Sequence, residues 1–65
     1  SMGYDISLAQ IIKLADLIDN SQSIIKHDPA FAKVFVPEAR DLLAVLKNGD
    51  KSLWYQLGGI LEGSV

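Results

Sequence analysis

Few residues in this chain have the types and spacing for chemistry. The single histidine, His27, stands beside Asp28. General acid–base work needs both groups aimed at one reacting atom, and neighbours at a helix-to-turn junction do not converge in that way. A histidine in such a place is better positioned to meet the last carbonyls of the helix it ends. Asp16 and Asp19, and likewise Glu38 and Asp41, stand three apart and share a helix face. Paired carboxylates alone are not a metal site; a calcium loop or a histidine cluster would be needed, and neither motif occurs. No nucleophile–base pair, phosphate-cradling glycine loop or dinucleotide fingerprint is present. The expectation is a non-enzymatic chain with no catalytic residue, no metal and no cofactor.

Composition narrows the partners. The chain has 65 residues, a net charge of −2, no cysteine and 49% hydrophobic residues. One domain of this size buries only about 60% of the surface its unfolded chain exposes. No disulfide or thiolate zinc can add stability, so association is the natural way to hide surplus apolar surface. Lys13, Lys26, Lys33, Arg40, Lys47 and Lys51 are scattered along the sequence. Nucleic acid and anionic membranes need concentrated positive charge, so neither is expected as the main partner. There is no membrane span and no leader pattern, which suggests the cytoplasm. Ser1-Met2 reads as a remnant of tag removal.

The elements that position these residues are helical. Ser7 and Gln10 stand in the relation of a capping box, with Ile6 before them as a staple. From there one helix is expected to run through the polar stretch Asp19–Ser23 to Lys26, since neither glycine nor proline interrupts it. Leu8, Ile11, Ile12, Ala15 and Ile18 form its expected core face. Leu14, Leu17 and Ile24 lie partly outside that arc, so the apolar sector is wider than one neighbouring helix needs. Either it is a second contact surface, or the helix sits centrally in its own bundle. Gln22 falls in the same seam.

Asp28 and Pro29 are suited to cap and open a short helical turn near 29–35. Phe31, Val34, Phe35 and Val36 make that connector strongly apolar, so it either closes one end of the bundle or docks a partner. Pro37 is expected to open the next helix, 37–48, with Ala39, Leu42, Leu43 and Leu46 facing the core. Gly49 supplies a left-handed C-terminal residue, and Asp50 caps a last helix, 51–62, from the N–H of Ser52 or Leu53. Leu53, Trp54, Leu57, Ile60 and Leu61 line its inner face. Tyr55 points outward, and so does Val45 on the preceding helix. Gly58-Gly59 marks either a loosened helix or a close backbone approach.

These readings give an all-α, small three-helix bundle: a long first helix, a short helical turn and a C-terminal helical hairpin. Residues 1–6 and 63–65 are tails around a single domain, 7–62. The expected function is protein–protein interaction or self-association, most simply as a two-fold dimer or by docking a helix of another protein. Leu14, Leu17, Ile24, Phe35, Val45 and Tyr55 are the candidate partner-binding residues. The alternatives are a helix–turn–helix DNA-binding regulator or an accessory protein that inhibits an enzyme. In the DNA-binding case the last helix would present Lys51, Ser52, Tyr55, Gln56 and Glu62, with a single cation for phosphate anchoring.

Overall fold

The computed structural model describes residues 6–63, with side chains from 8 to 63. It is an all-α three-helix bundle of α1 (Ile6–His27), α2 (Pro29–Val45) and α3 (Lys51–Glu62). Of the expected tails 1–6 and 63–65, residues 1–5 and 64–65 lie outside what is described, as do the Ile6 and Ser7 side chains on which the expected staple and cap depend. Ile6 itself belongs to α1, and Gly63 is the C-cap of α3. Among the described residues, no helix is long and apolar enough to cross a membrane.

α1 continues through Asp19–Ser23 for 22 residues. Asp28 alone then turns the chain. Its N–H donates to the Ile24 carbonyl at 2.8 Å, closing α1, and its side chain accepts from the Phe31 N–H at 3.2 Å, opening α2 with Pro29 in the first turn. Gln10, expected to cap its own helix, instead accepts from the Asn48 N–H at 2.9 Å. That bond joins the start of α1 to the turn that follows α2, so the two helices run antiparallel. α3 returns along both, capped by Asp50, which accepts from Leu53 N–H at 3.1 Å.

Two expectations about α2 are corrected. The short turn and the helix opened by Pro37 are one helix of 17 residues with Pro37 inside it. An internal proline removes the bond to the carbonyl four residues back and costs about 3 kcal/mol or more. Continuity brings Ala32, Val36 and Ala39 onto one buried row, while Pro37 stays on the exposed side. Burial of that row offsets the loss. The helix also stops at Val45 instead of Asn48: Leu46 is the C-cap, and its N–H reaches both Leu42 and Leu43 carbonyls.

The core consists of Leu14, Leu17, Ile18, Ala32, Val36, Ala39, Leu46, Leu57 and Leu61, with Ile24, Ile25, Phe35, Leu43, Leu53, Trp54 and Ile60 packed against it. Leu14, Leu57 and Leu61 are wholly inaccessible, and full burial of each contributes about 1.5–3 kcal/mol. α3 matches its expected inner face. α1 matches its expected face only in part: Ile18 is buried and Ile11 half-buried, but Leu8 and Ile12 are 53% and 62% exposed, Ala15 is exposed, and Leu14, Leu17 and Ser21 face inward. The two stripes overlap on a wide apolar sector. The one through residue 14 continues via Ser21 to Ile24 and Ile25, so it can pack along the whole helix. The one through residue 8 meets Asp19. Gln22 is exposed, and its neighbour Ser21 takes the buried polar position.

Candidate functional site

The six candidate partner-binding residues are distributed between the interior and two separate surfaces. Leu14 and Leu17 are 0% and 3% exposed. They hold the bundle together and are closed to a partner. Ile24 and Phe35 are half-buried against the same core. Val45 and Tyr55 are 67% and 70% exposed and belong to different surfaces.

Val45 lies on the outer face of α2. Phe31, Val34, Leu42 and Val45 are 48%, 56%, 40% and 67% exposed. Phe31, Phe35, Glu38, Leu42 and Val45 follow one another at intervals of four, three, four and three residues, the spacing of a coiled-coil seam. The Phe31 and Phe35 rings pack at 6.2 Å with a 40° tilt. The row becomes legible only when Pro37 is taken as part of the helix; with a break there, Phe31 and Phe35 belong to a connector and Leu42 to the core. The 4-3-4-3 spacing was the available signal.

Tyr55 lies on the other surface, a groove of about 390 Å³ between α2 and α3 lined by Leu43, Trp54, Tyr55, Gly58, Gly59 and Glu62. The Trp54 indole N–H donates to the Leu43 carbonyl at 2.9 Å, which also accepts from the Leu46 N–H at 3.2 Å, so both of its lone pairs are used. The indole bond fixes the ring across the helix junction. Tyr55 meets it edge to face, with centroids 5.3 Å apart and planes at 88°. Of the two readings of Gly58-Gly59, a loosened helix is not seen, since α3 runs on to Glu62, and among the described residues no backbone approaches closely: a Cβ on Gly59 would meet nothing within 4 Å, and one on Gly58 only Leu43 Cδ2 at 3.6 Å.

A second groove, of about 430 Å³, runs between Ile25 on α1 and the Pro29–Arg40 part of α2. α3 has 12 residues against 22 in α1, and its Leu61 carbonyl accepts from the Arg40 guanidinium at 3.4 Å. The earlier part of α2 therefore extends past the end of α3.

The acid–base candidates are solvated or already engaged. His27 is exposed at the end of α1, while Asp28 is occupied as the α2 cap. Among the described residues there is no cluster of three metal-ligating side chains. The Lys13–Asp16 contact, at 4.0 Å and half-exposed, contributes well under about 1 kcal/mol. No known protein family, curated protein or solved structure matches the chain.

Proposed function

We propose that this protein is a non-enzymatic helical interaction module whose outer α2 face pairs with a second copy of the chain. The observation that carries the reading is the row Phe31, Phe35, Glu38, Leu42, Val45, with Phe31, Leu42 and Val45 between 40% and 67% exposed. The row is nearly symmetric about Glu38. In an antiparallel pair, Phe31 meets Val45 of the other copy and Phe35 meets Leu42, which is the self-complementarity that a two-fold interface requires.

Glu38 sits at the axis, where it meets its own copy. Like charges there weaken the pair, and a polar group at one seam position sets register at the expense of affinity. The test is sedimentation over a wide concentration range for the parent chain, Val45→Glu and Glu38→Leu, with helicity checked by circular dichroism. The parent should dimerise with rising concentration, Val45→Glu should remain monomeric and folded, and Glu38→Leu should dimerise at least tenfold more tightly. A monomer throughout, Glu38→Leu included, would sink the proposal. A dimer indifferent to both substitutions would place the interface elsewhere.

A further inference from the structure

We infer that the groove between α2 and α3 receives a basic side chain, lysine or arginine, from a partner polypeptide. The inference does not depend on pairing through α2, because Val45 and the outer α2 row do not line this groove. Tyr55, Gly59 and Glu62 fall at i, i+4 and i+7 on α3 and so share one face, with about 10 Å between the tyrosine and the glutamate along the axis. The glycines leave the floor between them bare.

Three choices here oppose the helix that carries them. Glycine is the poorest helix former after proline, and neither Gly58 nor Gly59 is required by a close approach inside the chain. Glu62 closes α3, where the carbonyl end of the helix dipole repels an anion, and no basic residue stands in that last turn. Among the described residues the only ion pair is Lys13–Asp16, so Glu62 is unneutralised. Arg40 donates to the Leu61 carbonyl and is not part of the groove lining. Departures from local preference that coincide in one place mark function more often than chance.

The walls specify the occupant. Two rings at 88° leave a corner bounded by π faces, and the Trp54 ring is held there by its bond to Leu43. A π face attracts a cation. Glu62 is the one ionisable side chain besides Tyr55 in the lining. An anion would be repelled, and an apolar side chain would leave the carboxylate uncompensated. A long basic side chain satisfies both parts: its stem lies over the glycine floor and Leu43, and its charge lies between the aromatic corner and Glu62.

The test uses blocked pentapeptides with a central lysine, arginine or norleucine flanked by alanines, titrated to millimolar concentration into the isotope-labelled chain. Either basic peptide should move the Gly58 and Gly59 amide and Trp54 indole resonances, with binding weakened by salt. The norleucine peptide should bind about tenfold more weakly or not at all. Glu62→Gln and Tyr55→Ala, both at exposed positions, should each lower affinity severalfold, and Gly59→Leu should abolish it by filling the floor. Equal shifts with norleucine would overturn the inference, as would the absence of shifts at Gly58 and Gly59, or affinity unaffected by Glu62→Gln and Tyr55→Ala. Preference for lysine or for arginine would identify which basic side chain is received.

Discussion

The turn at Gly49 and the Gly58-Gly59 segment of α3 use the same residue type under opposite constraints. At Gly49 a Cβ would lie 2.7 Å from Leu14 Cδ1, 3.3 Å from Gln10 Cβ and 3.4 Å from the Gln10 carbonyl carbon. Its backbone is not left-handed. The glycine is there because α1 presses on the turn, with Gln10 also bonded to Asn48. At Gly59 the same test finds open space. One glycine is fixed by packing. The other is unexplained by packing, and that absence directs attention to the surface it leaves bare.

Substitutions can break or sharpen this contrast. Leu14→Ala should have the largest effect, lowering stability by about 2–5 kcal/mol in chemical denaturation, since Leu14 is wholly buried beneath the turn. Gly49→Ala should cost about 1–3 kcal/mol through overpacking. The combination is the sharper measurement: in a Leu14→Ala background the Gly49→Ala penalty should shrink, because the 2.7 Å neighbour has been removed. Additive penalties would show that the turn, not Leu14, resists the methyl group.

Smaller effects should have the opposite sign. The Ser21 hydroxyl is buried without a hydrogen-bond partner, so Ser21→Ala should raise stability by about 1 kcal/mol. That corresponds to roughly 4–8 °C in the melting temperature of a domain this small. Gly59→Ala should stabilise by about 0.5–1 kcal/mol through helix propensity alone. Destabilisation there, measured in dilute monomer, would mean that Gly59 has a folding role like that of Gly49.

Local chemistry was the legible part. Asp28 and Asp50 were readable as caps because capping depends on a side-chain oxygen and N–H groups within three residues. The inner face of α3 was readable because a single stripe of large residues leaves little choice. α1 was not, since its apolar sector holds two overlapping stripes, and the choice between them depends on what α2 and α3 present. Pro37 misled for a related reason. A proline at the start of a helix and one inside it look alike in sequence, and the buried row Ala32–Val36–Ala39 decides only after α1 is in place.

The candidate surface residues divide along the same line. The outward direction of Tyr55 followed from its position beside Trp54 on one helix. The breadth of the α1 sector admits either a second contact surface or a central place in the bundle, and Leu14 and Leu17 are buried because α2 and α3 both pack against α1. By itself the sequence determined the all-α class, the caps at Asp28 and Asp50 and the lack of a recognisable catalytic motif, all of which rest on patterns within a few residues. The tertiary structure decided which face of α1 is core, that α2 runs through Pro37, and that Gly49 is needed for close approach. It also decided which apolar and aromatic residues remain outside. These are outcomes of three helices competing for the same buried volume, and no segment carries that information alone.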